Sequence, residues 1–195
     1  MRLVLALVML AVFPNLAFAH SGPEHALGFV HGFEHPVGGL DHLLAMVAVG
    51  VFAFVLGGRA LWAVPLSFVA MMIVGFGAGV AGLPVPFVEL GIALSSVLIG
   101  GAAALGRPMP VAAAMGLVGV FALFHGHAHG AEMPGGANGL DYVAGFTLAT
   151  VSLHLAGMTA SLTVARLAGR FGAGATRVAG GGFALAGLGA IAGWI

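Results

Sequence analysis

The sequence predicts an all-α membrane protein, a bundle of six transmembrane helices behind a cleavable signal peptide. Three observations carry this. The chain is 61% hydrophobic and only 6% charged, whereas soluble domains run near a quarter charged. Its apolar runs have the length a bilayer asks of a helix, about 20 residues. The breaks between them are short and carry Gly, Pro or Arg. A mean hydropathy of +1.14 and 34 glycines fit the same class, because small residues let helices approach closely in lipid.

Taken in order, residues 1–19 read as the signal peptide. Arg2 is the positive end, Leu3 to Phe13 the apolar core, and Ala17-Phe18-Ala19 matches the small-residue cleavage rule. An uncleaved anchor is the alternative. Residues 20–36 form a periplasmic, histidine-containing segment, and 37–195 the six-helix domain. The helices are expected near 37–57, 60–82, 86–106, 109–126, 138–166 and 175–195, broken at Gly57-Gly58-Arg59, Gly82-Leu83-Pro84, Gly106-Arg107-Pro108, the loop from Gly126 to Ala137, and Arg166 to Arg177. Such short connections predict antiparallel packing of consecutive helices. Arg59, Arg107, Arg166, Arg170 and Arg177 fall in alternate loops, which the positive-inside rule assigns to the cytoplasm of a bacterial inner membrane. Eight of the nine histidines then lie outside or near the outer helix ends, with His154 the exception, near the middle of the fifth helix.

Composition excludes several functions. Formal net charge is zero with neutral histidines, so no basic patch awaits nucleic acid. Without Cys there is no disulfide, iron–sulfur cluster or thiolate site. Without Lys there is no Schiff-base lysine and no Walker A loop, so the chain does not hydrolyse ATP. No prosthetic group is expected. The partners expected are the lipid bilayer and a transition-metal cation, with a homo-oligomer left open.

The densest chemistry is His35-Pro36-Val37-Gly38-Gly39-Leu40-Asp41-His42. Ionisable groups at membrane depth are costly and are usually functional, and imidazole with carboxylate suits a divalent transition metal. His35 precedes a proline and is biased towards extended backbone. His42 and Met46, four apart, share a helix face. Asp41 stands about 100° from His42, so both serve one site only at a distorted helix end. A capped helix with one buried histidine is the plainer reading. Asp41, Glu89 and Asp141 each open an inward-running helix, either offsetting its dipole or forming an acidic outer ring, and Gly39-Leu40-Asp41-His42 echoes Gly139-Leu140-Asp141-Tyr142.

Three further segments matter. Thr147, Thr150, His154, Met158 and Ser161 make one polar stripe at helical spacing, read as a pathway lining or as ordinary helix-packing hydroxyls around one histidine. Glu89, Ala93, Ser96 and Gly100 make a weaker one. Phe124-His125-Gly126-His127-Ala128-His129-Gly130-Ala131-Glu132 alternates histidine with small residues, which favours metal binding. Helical, His125 and His129 share a face; extended, His125, His127 and His129 all point one way.

The segment His35-Pro36-x-x-Gly39-x-Asp41-His42-x-x-x-Met46 resembles the signature of the HupE/UreJ hydrogenase/urease accessory proteins, regarded as nickel or cobalt permeases. Glu89 with Ser95-Ser96 and Gly100, Phe124 to Glu132, and Gly145-Phe146 through His154 to Gly157 are similar as well, so the likeness spans nearly the whole mature chain. It implies secondary uptake of Ni²⁺ or Co²⁺ to supply a hydrogenase or urease, with His35, Asp41 and His42 the leading ligands. Two rivals stand beside it. One is a haem protein with His42, His125 or His154 paired axially; the other is an accessory protein that binds nickel without moving it. No His-Glu-x-x-His or Gly-x-Ser-x-Gly motif points to an enzyme.

Overall fold

The computed structural model describes residues 23–194, all helix and connection. The signal-peptide segment and His20 lie outside the described residues. The helices are α1 (Pro23–Gly38), α2 (Leu40–Leu56), α3 (Ala60–Val80), α4 (Val88–Leu105), α5 (Val111–Ala131), α6 (Gly139–Leu167) and α7 (Gly172–Ile191), with a 3₁₀ turn at Gly169–Phe171 before α7.

Helices α3, α4, α5 and α6 are long and apolar enough to cross a membrane. A fifth span is added if α1 and α2 are one broken crossing, for they meet at an angle of 80°. The break is Gly39, whose extended backbone (φ −91°, ψ 119°) interrupts the helix.

Two expectations about local structure are corrected. The stretch before residue 37 is helical, and α1 runs through His35 and Pro36 to Gly38. A proline inside a helix removes a backbone bond, but here it sits in the last turn, where the chain is about to break anyway; the Gly39 N–H bond to the His35 carbonyl is already long, at 3.4 Å. The helix expected to end at Gly126 continues to Ala131.

Packing partners also differ from the expected pattern. The tightest seams join helices that are not consecutive: α3 with α5, α4 with α7, α1 with α6 and α2 with α6. Glycine explains each. A Cβ on Gly126 would strike the Met72 carbonyl, one on Gly75 the Leu123 carbonyl, and one on Gly130 the Phe76 carbonyl. The registers show that α3 and α5 run parallel (Gly75 by Leu123, Gly79 by His127), while α4 and α7 run antiparallel (Gly100 by Gly180, Gly187 by Val97). Gly145 lets α1 sit on the upper half of α6, at Phe29 and Phe33, and Gly157 lets α2 sit further along, at Val47. The buried core runs from Ala45, Val49 and Phe52 on α2 through Phe68 and Met72 on α3 to Phe121 on α5 and Phe146 on α6.

Candidate functional site

Helix α5 carries two periodicities at once. Gly126 and Gly130 recur every fourth residue and seat the helix on α3. His125 and His129 recur with the same period one residue earlier, so they turn together towards the bundle centre, where both are fully buried. His127 lies off that face: its Nε2 donates to the Leu83 carbonyl at 2.7 Å and ties the α3–α4 connection to α5.

The break at Gly39 brings α1 and α2 to the same centre. The His35 and His129 rings lie 4.6 Å apart by centroid, His35 and His42 5.6 Å, His42 and His129 5.3 Å, and His42 and His125 4.7 Å. Four imidazoles from three helices thus form one cluster. Asp41 joins it because it opens α2: its Oδ1 accepts from the His42 backbone N–H at 2.8 Å and stands 3.2 Å from His42 Nδ1. Gly39 leaves the room, since a Cβ there would lie 2.9 Å from that carboxylate oxygen.

A cavity of about 470 Å³ opens onto the cluster, lined by His31, Glu34, His35, Asp41, His42, Glu89, Glu132 and Tyr142 among others. Glu132 Oε2 lies 3.5 Å from His35 Nε2. Asp41 and Glu89 also face a second cavity of about 330 Å³ between α2, α4 and α7. The acidic rim therefore contains Asp41 and Glu89, with Glu34 and Glu132 beside them. Asp141 stands apart, at the α1–α6 seam against Gly28, where Asn138 caps α6 through the backbone N–H groups of Leu140 and Asp141. The sequence echo has a spatial counterpart, for His42 and Tyr142 line the same cavity.

Below the cluster lies Phe68, fully buried, its ring 5.6 Å from His125 and 5.2 Å from His154. His154 is buried behind it, on a face of α6 shared with the buried Thr150 and Ser161. Met46 is fully buried one turn below His42 on α2. Met72 of α3 accepts from Thr150 Oγ1 at 3.7 Å; no sequence pattern marked Met72, Phe68 or Glu34.

Many of these buried nitrogens lack a hydrogen-bond partner: His42 Nε2, His125 Nδ1, and both ring nitrogens of His129 and of His154. Leaving a buried polar group unsatisfied costs about 1–3 kcal/mol, and native proteins hold few such groups. Nitrogen lone pairs without hydrogen donors are what a soft or borderline cation binds. Among the described residues, no three His, Asp or Glu side chains already converge as a closed metal cage. The arrangement is a file of neighbouring donors.

A helical membrane protein that buries a file of imidazoles behind an acidic mouth keeps costly polar groups among apolar helices. The comparisons give the lineage. Residues 7–190 match the HupE / UreJ protein family, and the chain belongs to that family. A relative, Protein HupE of Rhizobium leguminosarum bv. viciae, is 47% identical over 181 residues, covering 92% of each chain. No solved structure matches.

Proposed function

We propose that this protein is a secondary permease that takes up Ni²⁺ or Co²⁺ across the inner membrane to supply a hydrogenase or urease. The observation that carries the reading is the buried imidazole cluster, with its unpartnered nitrogens, at the floor of an acidic cavity. Family membership supports the setting, and the resemblance of the His35–Met46 segment supports the cargo.

In this reading α7 is a sixth crossing, α1–α2 is one broken crossing, and the cavity faces the periplasm. The five loop and helix-end arginines occupy the other side. Glu34, Asp41, Glu89 and Glu132 concentrate the cation and offset its charge. His35, Asp41 and His42 replace part of its hydration shell, and His125 and His129 take over as it descends. Met46 is a soft neighbour at this level. Phe68 closes the path below, and the ion moves on to the His154 stripe once that ring shifts. Donors spread over several levels suit conduction, because an ion must leave as well as bind. The driving force is electrical. A divalent ion entering down an inside-negative potential of about 100 mV gains roughly 4.6 kcal/mol, at about 2.3 per charge. That supports accumulation without ATP.

A haem between His42 and His125 is disfavoured by packing, because rings whose centroids lie 4.7 Å apart leave no slot for a porphyrin. Vesicle uptake of radiolabelled nickel tests transport directly. Asp41→Ala and His42→Ala abolish uptake while the protein still inserts; normal uptake in both rejects the site. Nickel bound but never delivered to the lumen makes the protein an accessory binder instead.

A further inference from the structure

Ser95 and Ser96 are neighbours on α4, both buried, and they do different things. Ser96 packs against α7, where a Cβ on Gly187 would approach its Cβ to 3.0 Å. Ser95 faces α5, and its Oγ lies 2.9 Å from His125 Nε2. The approach is arranged one turn earlier. Gly91 has no side chain, so the Phe124 ring sits directly on the α4 backbone, and that brings Ser95 level with His125.

The hydroxyl has a second, nearer neighbour, the Ile92 carbonyl oxygen one turn back on its own helix. A carbonyl only accepts, and a hydroxyl has one hydrogen to give. The hydrogen bond between these two oxygens uses that hydrogen. Ser95 therefore donates to Ile92, and towards His125 it has only lone pairs to offer. A hydrogen bond across the remaining 2.9 Å requires the hydrogen to come from the ring, so Nε2 carries it. In a neutral imidazole the other nitrogen, Nδ1, is then a bare lone pair. Nδ1 of His125 is buried with no hydrogen-bond partner, in a ring 4.7 Å from that of His42.

The same logic operates on His42 from a different group. The Asp41 carboxylate accepts from Nδ1, and Nε2 is the buried nitrogen without a partner. Two rings from two helices are thus each held by an acceptor on one nitrogen and left open on the other. Where histidines ligate metals, this is the pattern that fixes ring orientation and tautomer.

We propose that Ser95 is a positioning residue for cation binding: through its hydroxyl oxygen it holds His125 in the Nε2–H form and so presents Nδ1 as the donor atom. As a statement about binding this rests on the permease reading; as a statement about the tautomer it does not.

The test uses the full chain with histidine ring nitrogens labelled by ¹⁵N. Solid-state spectra of the metal-free protein are compared with those of His125→Gln to isolate the His125 signals. Wild type shows protonated Nε2 and unprotonated Nδ1. Ser95→Ala, which deletes only the hydroxyl, releases that preference, and Ser95→Thr, which keeps an oxygen, retains it. In parallel, Ni²⁺ titration of the solubilised protein gives binding about ten- to a hundredfold weaker in Ser95→Ala, the usual size of such a loss, with recovery in Ser95→Thr. A protonated Nδ1 in wild type overturns the proposal, as does unchanged Ni²⁺ affinity in Ser95→Ala. Wild-type protein that binds no Ni²⁺ sinks the permease reading and the binding half of this one, while the spectra still decide the tautomer.

Discussion

At the scale of single residues, the two outer histidines of the Phe124–Glu132 segment and the middle one occupy different worlds. His125 and His129 are fully buried in the central cluster, whereas His127 is spent on the Leu83 carbonyl. Alanine at 125 or 129 therefore removes nickel uptake. Alanine at 127 leaves most uptake intact and lowers stability by about 1 kcal/mol, the net worth of one hydrogen bond. Uptake and thermal melting of the three variants check this, and equal loss of transport in all three contradicts the arrangement. Phe68 makes a different kind of prediction. It touches two histidines and supplies no ligand. Phe68→Ala keeps nickel binding but removes the aromatic closure, so nickel enters vesicles faster than with wild type; an unchanged uptake rate contradicts the closure.

At the scale of helices, glycine placement decides what each seam tolerates. Alanine at Gly126 drives a methyl group into the Met72 carbonyl, and overpacking of a fitted contact costs about 1–3 kcal/mol, occasionally more. Because α5 must back away from α3, the neighbouring histidines move with it and uptake falls too. A methyl group added at Gly101 or Gly116 meets nothing within 4 Å; alanine at either is neutral or slightly stabilising, by up to about 1 kcal/mol. Thermal unfolding of the purified variants separates the two classes.

Much of this level is legible in the sequence. The boundaries of α2, α3, α4 and α6 fall within a few residues of where hydropathy and the Gly, Pro and Arg breaks put them. Two elements are not. α1 is hidden because a residue before proline usually avoids the helix, and only the break at Gly39 makes Pro36 harmless. The end of α5 is hidden because Gly126 to Gly130 has the composition of a loop; its glycines stay helical since they fill a seam with α3. The polar candidates are visible one by one, but their grouping is not. Glycine spacing names a sticky face without naming its partner, so nothing in the chain says that α1 lies on α6, or that Glu132 stands over His35 while Asp141 does not join the rim.

At the scale of the whole molecule, the donors form a graded column, from an exposed acidic mouth, through clustered imidazoles and an aromatic closure, to one deep histidine. Under the proposed permease function such a column needs no nucleotide and works with the membrane potential. Vesicles given an inside-negative potassium diffusion potential accumulate nickel, and collapsing that potential stops further accumulation. At about 100 mV the gain of roughly 4.6 kcal/mol corresponds to an accumulation limit near three orders of magnitude. Accumulation unaffected by the potential would demand another coupling ion.

The unpartnered nitrogens of the cluster have a thermodynamic corollary. Among the described residues, four ring nitrogens on three histidines of the cluster, His42, His125 and His129, are buried without a protein hydrogen-bond partner, a burden that the unfolded chain, wet everywhere, does not share. A cation bound by the lone pair that each neutral ring presents relieves part of it, and any ligand that favours the folded chain raises its melting temperature with concentration. Nickel should thus act as a dose-dependent thermal stabiliser of the wild-type protein, with the gain shrinking when His42 or His129 is removed.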